Sequence, residues 1–389
     1  MKSLFAPSLI AHKSGRTCTA KLASSPFAKY ALSAALSAAP SPSPEPSLEA
    51  KLAFLRRPDS YVENTAQVEA IETHMSWVFL THGFAYKLKK PVCYADLDFR
   101  TLAARQVFCQ EEDRLNRRLA AKVYLGLLPL SVNAQGQLHL GEGGTPVDWL
   151  VKMHRLPQQN MLDSVIRHGG VSGQDVARIV RRLVAFYRNA SPVTLDPLAH
   201  REGLHSSITL CNARLCQAEY ALPQAQIARI TDRLHRLLAE LGVHIERRIL
   251  SAKYVEAHGD LRPEHICLTP HIVIIDCLEF SRTLRILDPI DELGFLALEC
   301  ERLGAPDSGA LFLRTYSELS GDWANSSLLH FYQSYRACLR AQIAIRHLDE
   351  EKYRTSICSS AKWRQRACDY LHLAERHQLA INATIDPPV

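Results

Sequence analysis

The chain has no CxxC pair among its 11 cysteines, no HExxH, no GxxxxGK followed by Ser or Thr, and no acidic residue before Glu45. Each absence excludes something. An odd number of scattered cysteines is neither a disulfide framework nor a structural zinc site. They read as free thiols in a reducing compartment, so a cytoplasmic location is expected. Without HExxH there is no zincin-type centre, and without the phosphate-loop pattern no second nucleotide domain of that kind is expected in these residues. No apolar run reaches the 18 or so residues that a membrane helix needs, so no membrane partner is expected. The formal net charge of +6 points towards a polyanion until its distribution is read. Lys2, Lys13, Arg16, Lys21 and Lys29 stand in an acid-free stretch; removing those five from 46 basic residues leaves 41 against 40 acidic ones. The body is near neutral, which removes the case for a nucleic-acid partner.

What is present divides the 389 residues into unequal parts. Residues 1–46, rich in Ser, Ala and Pro and ending in SPSPEP, bury too little apolar surface to offset their ordering entropy. They read as a disordered basic extension, a composition that transit peptides share. Residues 47–155 are expected to form a small lobe: a short helix over 48–55, strands at 76–80 and 84–89 joined by a tight turn, a helix over 102–119, and strands at 126–132 and 147–153 around a Gly-rich loop. From 156 to 380 the pattern is helical, with stripes at 176–188, 227–241 and 327–347 and one hairpin, 266–268 with 272–275. Residues 381–389 are left as a tail. The fold class is therefore α+β, a β-rich N-terminal lobe followed by a larger helical one.

The most informative segment is HGDLRPEH, His258 to His265, followed by that hairpin and IIDCLEF, Ile274 to Phe280. The hairpin brings Asp260 and Asp276 side by side, with His265 between them in sequence. Converging carboxylates repel, so they call for a cation or a shared proton. Asp276, at the end of a short apolar strand, needs a metal ion or a basic partner to offset its burial.

This segment resembles the protein-kinase catalytic loop HRDLKPEN at six of eight positions when Arg262 is taken as a conservative replacement, and Asp276 follows Asp260 by sixteen residues. The HGD form is similar to the aminoglycoside phosphotransferase and choline kinase branch. ETHMSWVFL, AYKLKKPV and EEDRLNRRLA extend the likeness to a bacterial aminoglycoside-phosphotransferase-like group, over about Glu69 to Arg346. The resemblance implies a two-lobed protein-kinase-like fold and an ATP- and Mg²⁺-dependent transfer of a phosphoryl group to a small-molecule hydroxyl. It implies that Lys87 reaches the ATP phosphates, held by a helix-borne Glu. Glu112 is preferred there, although Glu111 has almost the same spacing from Phe108 and Leu115. Asp260 would accept the hydroxyl proton, Arg262 would neutralise the transferring group, and Asp276 would ligate Mg²⁺. Met153, His154 and Arg155 would receive the adenine.

Two positions depart from the family. His265 stands where the family has Asn; an imidazole suits softer ions, so the second metal site should weaken or shift towards Mn²⁺. The loop Glu72 to Ser76 carries no glycine for close backbone approach to phosphates. The alternatives are a pseudokinase-type nucleotide-binding or regulatory protein without turnover, and a metal-dependent phosphohydrolase using His258, Asp260, His265 and Asp276.

Overall fold

The first helix begins where Ser47 caps it. The Ser47 hydroxyl accepts the Ala50 amide, and α1 (Leu48–Leu55) lays Leu52 and Leu55 onto a sheet. The computed structural model describes residues 45–94 and 97–385. The extension expected over residues 1–46 thus lies, up to residue 44, outside the described residues. Glu45 already belongs to the fold, paired with Lys51 at 3.0 Å.

The sheet is larger than the sequence pattern suggests. Its strands are β1 (Glu69–Glu72), β2 (Ser76–Leu80) and β3 (Phe84–Lys89). After the short pair β4 (Cys93–Tyr94) and β5 (Leu97–Asp98) and the helix α2 (Leu102–Ala120) come β6 (Tyr124–Val132), β7 (Leu138–Leu140) and β8 (Thr145–His154). The order is β1-β2-β3-β8-β6-β7, with every neighbouring pair antiparallel. The two strands without a sequence forecast, β1 and β7, are the edges. Both are short, and neither carries a run of buried apolar residues that would betray it.

β3 lies inside the sheet, and strand alternation sorts its residues by face. Tyr86 and Leu88 join Phe79, Leu150 and Leu55 in the core under α1. Ala85 joins Cys109, Val151 and Met153 on the face covered by α2, the face to which Lys87 and Lys89 also belong. Lys87 pairs in register with Val78 on one side and Val151 on the other.

Beyond His154 the chain is mostly helical: α3 (Leu162–Arg167), α4 (Gly173–Asn189), α5 (Pro197–Leu215), α6 (Gln224–Glu240) and α7 (Gly242–Leu250). β9 (Val255–Glu256) precedes the expected hairpin, β10 (Ile266–Cys267) with β11 (Val273–Ile274). α8 (Arg282–Arg285) leads into β12 (Ile286–Leu287), which pairs back with β9. α9 (Pro289–Arg302), α10 (Pro306–Ser320), α11 (Ser326–Ile345), α12 (Glu351–Arg354) and α13 (Ile357–Ile385) complete the chain. α13 runs through the position where a tail was expected to begin, so residues 381–385 are helix. The architecture is α+β, as the patterning implied.

The stripe of α4 is the expected one, with Val176, Ile179, Val180, Leu183, Val184 and Tyr187 buried. α9 has no stripe because every residue from Pro289 to Cys300 is buried. A helix surrounded by protein has no polar face to make it periodic. Its start is fixed by Asp288, which accepts the Ile290 amide and, with Asp322, grips the Arg248 guanidinium of α7 in two forked ion pairs. Removing one partner from a buried pair strands the other charges. Arg248→Met is expected to cost about 3–5 kcal/mol, read as a lower urea midpoint, and Arg248→Lys should recover only part of it because an ammonium cannot fork.

Candidate active site

Gly259 sets the course of the His258–His265 loop. Its φ is +89°, and a Cβ there would stand 3.0 Å from Leu278 Cβ and 3.1 Å from Arg285 Cγ. Only glycine meets both conditions. The buried carboxylate of Glu292, on α9, accepts the amides of His258 (2.9 Å) and Gly259 (2.6 Å) and the Tyr187 hydroxyl (2.7 Å). The His258 ring is equally committed. Nε2–H donates to the Ile275 carbonyl at 2.9 Å, and Nδ1 accepts the Asp260 amide at 3.4 Å.

These contacts present Asp260 at a partly open surface. Its Oδ2 accepts a hydrogen bond from Arg262 Nε (3.1 Å) and lies 3.0 Å from Nη2 of the same guanidinium, and its Oδ1 stands 4.0 Å from Arg340 Nη1, on α11. Burial would raise the Asp260 carboxyl, but Arg262, His265 and Arg340 hold it below its ordinary value.

Asp276 follows β11 in the left-handed region, φ +60°, a conformation that Asp adopts more readily than most side chains. The Tyr124 hydroxyl accepts its amide at 3.3 Å, and Asn116 on α2 accepts the amide of Cys277 at 2.8 Å. Its Oδ1 meets Lys87 Nζ at 2.7 Å, and the same ammonium reaches Glu112 Oε1 at 2.8 Å. Lys89 adds a second bridge, to Glu112 Oε2 at 2.6 Å and Glu279 at 2.5 Å. Burial favours neutral groups throughout, yet the opposite charges win. Lys87 is held well above its ordinary value by Asp276 and Glu112, and Asp276 well below the carboxylate range by Lys87 and His265. Glu112 is lowered in the same way by Lys87 and Lys89.

The ambiguity between Glu111 and Glu112 disappears here. Glu112 is wholly buried against the two lysines, whereas Glu111 turns to Arg114 (2.7 Å) and Arg285 (3.2 Å). His265 is the correction. Its Nδ1–H donates to the Asp260 carbonyl (2.8 Å), and its Nε2 lone pair accepts an Arg262 N–H (2.9 Å). Nε2 lies 3.4 Å from Asp276 Oδ2, but in this arrangement it offers no lone pair to an ion. Among the described residues no group of three or more His, Cys, Asp or Glu side chains is placed to hold a metal. The four-ligand centre that a phosphohydrolase needs is not formed. A Mg²⁺ held by one carboxylate and completed by phosphate oxygens and water fits Asp276, whose side chain is 42% exposed.

The connector also differs from expectation. Met153 is buried beside Ala85 and Val151, on the Lys87 face. The amides of His154 and Arg155, however, already bond the Val123 and Gly83 carbonyls at 2.9 Å each, so neither is a spare donor for adenine. The loop over Glu72–Ser76 is closed by Thr73, whose hydroxyl accepts the Ser76 amide at 3.0 Å. It is tied to the helical lobe through Glu72–Lys352 (2.5 Å) and His74–Glu350 (3.1 Å).

Neither the spacing nor the resemblance gives a site role to Lys89, Glu279, Glu292 or Arg340. Lys89 and Glu279 carry a faint signal, two residues after Lys87 and three after Asp276. Glu292 and Arg340 carry none, since only the tertiary fold brings their helices to the loop.

No family model matches the sequence. Uncharacterized proteins of Mycobacterium tuberculosis and Mycobacterium bovis are 33% identical to it over 282 residues, 71% of this chain and 54% of theirs. The chain thus spans about half the length of the curated relatives it matches. Its structural neighbours are choline/ethanolamine kinases and aminoglycoside phosphotransferases. A choline kinase from Cryptosporidium parvum aligns over 87% of this chain and 96% of that one, with a TM-score of 0.49 and 10% identity. A choline/ethanolamine kinase family protein from Mesorhizobium loti aligns over 86% and 98%, with a TM-score of 0.47 and 15% identity. An aminoglycoside phosphotransferase in complex with GDP and kanamycin aligns over 81% and 95%, with a TM-score of 0.47 and 14% identity.

The His258 ring gives a test in acid. Burial, with His265 adding to it, pushes His258 down to about 3, whereas an unfolded histidine titrates near 6.5. As pH falls below 6.5 the unfolded chain takes a proton that the folded chain refuses, so stability drops with acidification. In His258→Asn the slope of unfolding free energy between pH 6 and pH 5 should shrink by up to about 1.4 kcal/mol per unit. Urea titrations at the two pH values measure it, and an equal slope would show that His258 is not the refusing group.

Proposed function

We propose that the chain is a phosphotransferase that moves the γ-phosphoryl group of ATP to a hydroxyl of a small molecule. The observation that carries this reading is the single ammonium of Lys87 bound to both Glu112 and Asp276, beside a loop that holds Asp260 at a partly open surface. Lys87 would hold the phosphates, with Glu112 fixing its direction, and Asp276 Oδ2 would give a hard oxygen to Mg²⁺. ATP supplies the transferable phosphoryl group, and Mg²⁺ neutralises charge on it. Asp260, kept ionised by its arginine neighbours, orients the acceptor hydroxyl and takes its proton. Arg262 stands within reach of Asp260 to balance the charge that develops there. The protein contributes position and charge rather than covalent chemistry.

A second reading, nucleotide binding without turnover, is favoured by one observation. Arg262 is bonded to His265 as well as to Asp260, so the side chain at the family's Asn position does not offer a metal ligand. The two readings separate on one experiment. ATP with Mg²⁺ at a hundredfold excess over Kd should stabilise the fold by about 2.7 kcal/mol, seen as a higher Tm, and Lys87→Ala should abolish the rise. Asp260→Asn should keep the rise while ADP formation across a panel of hydroxyl compounds falls by about 10²-fold or more. A Tm rise with no ADP formed by the unaltered protein would select the second reading, and no rise with any nucleotide would reject both.

A further inference from the structure

Asp260 separates two regions. Lys87 and Asp276 lie on the Oδ2 side, reached through Arg262 and His265, and Arg340 faces Oδ1. The Arg340 guanidinium, on a side chain only 19% exposed, is held to carboxylates by long ion pairs alone. It makes no hydrogen bond among the described residues, and its buried Nε is without a hydrogen-bond partner. Its nearest carboxylates are Glu299 at 3.6 Å and Asp260 at 4.0 Å. The Glu299 oxygens already accept from Tyr370 (2.6 Å) and Arg302 (2.7 Å), and Asp260 Oδ2 from Arg262, while Asp260 Oδ1, the oxygen that faces Arg340, stands beyond hydrogen-bond reach of it. A guanidinium has five donors in a plane, and leaving them unmet in a half-enclosed place is costly unless another molecule meets them.

The neighbourhood is also poorly disposed to a cation. Quaternary ammonium groups are held by open aromatic faces and unpaired acids. Here Phe295 is covered by Arg336 and Arg340, and Tyr370 by Arg302 and Arg340, at 5.7–6.0 Å. Asp291 is forked by Arg336, and Glu264 is paired with Arg302. Arg262 and Arg340 repel each other across Asp260. An anion set between solvent and the two guanidiniums relieves that repulsion and satisfies the donors at once.

We infer that the acceptor carries an anionic group, a phosphate or a carboxylate, bound by Arg340 while its hydroxyl lies on Asp260. This rests on the phosphotransferase reading for the hydroxyl and on the unmet guanidinium for the anion. In the transfer itself the acceptor oxygen forms a bond to the γ-phosphorus as the β,γ-bridging bond breaks, ADP leaves, and the hydroxyl proton passes to Asp260.

Two measurements on the full chain test it. The first is binding of inorganic phosphate, followed by Tm with and without saturating ADP and Mg²⁺. Phosphate should raise Tm in both conditions and choline in neither, and Arg340→Gln should remove the rise. The second is ADP formation from ATP with four matched acceptors: glycerol, glycerol 3-phosphate, glycerate and choline. Turnover should appear with one or both anionic members, which also tells phosphate from carboxylate. Arg340→Gln should raise the KM for the anionic acceptor about tenfold or more with the KM for ATP unchanged, and Arg340→Lys should recover part of the loss.

Phosphate binding that survives in Arg340→Gln, equal turnover with glycerol or choline, or a rise in the KM for ATP would overturn the inference. Arg340-dependent phosphate binding without any ADP-induced shift would instead keep the anion site and remove the phosphotransferase reading.

Discussion

One ammonium group holds the candidate site together. Lys87 extends from the middle of the sheet, and its two carboxylate partners come from α2 and from the turn after β11. A buried lysine is costly unless paired, so the sheet, the helix and the turn must meet at that point for the fold to be stable. Lys89 repeats the arrangement two residues on, sharing Glu112 and adding Glu279. Two cations thus face three carboxylates. Glu112 and Glu279 are enclosed, with side chains 1% and 10% exposed, whereas Asp276 is 42% exposed. The surplus negative charge therefore sits on the most exposed of the three carboxylates, which suits the group to a cation on purely electrostatic grounds.

The loop that bears Asp260 is built from polar contacts to the backbone. Glu292 grips two consecutive amides, the His258 ring spans Ile275 and Asp260, and the Cys277 thiol donates to the His258 carbonyl at 3.0 Å. Gly259 follows from the same crowding. With Leu278 and Arg285 against its Cα, no side chain fits, so glycine in HGD is a steric requirement of this chain. His265 matters chemically because its Nε2 accepts an Arg262 N–H, which ties Arg262 to the loop as well as to Asp260.

What the sequence made legible was whatever depends on neighbours along the chain. The stripes of α4 and α6, the β10–β11 hairpin, and the order Lys87, Glu112, Asp260, Asp276 could all be read from spacing or from the family resemblance. α9 could not, because full burial erases the amphipathic period, and with it went Glu292. Arg340 lies eighty residues after Asp260, on a helix whose apolar stripe was visible but whose polar side gave no hint of what it faces. His265 stands out in the sequence, but the sequence does not say what its ring does. Position along the chain identifies a ring, whereas its role depends on which nitrogen carries the proton, and that is settled by the Asp260 carbonyl and the Arg262 guanidinium.

The glycine-free loop between β1 and β2 shows how one departure from a pattern is compensated by another part of the chain. A Gly-rich loop approaches phosphates because it has no side chains in the way. Here the turn is closed by Thr73 and Ser76 and anchored from outside by Lys90, Lys352 and Glu350. The lobes are therefore joined inside by Lys87–Asp276 and Lys89–Glu279 and at the rim by Glu72–Lys352 and His74–Glu350. These joints are unequal. A partly exposed rim pair contributes roughly 0–1 kcal/mol, so thermal motion can open it. The inner pairs, desolvated on the lysine side, hold more firmly, because separating them strands a buried charge. Any anion that approaches Lys87 competes with Asp276 for the same ammonium, so the charges that join the lobes there also decide what could part them.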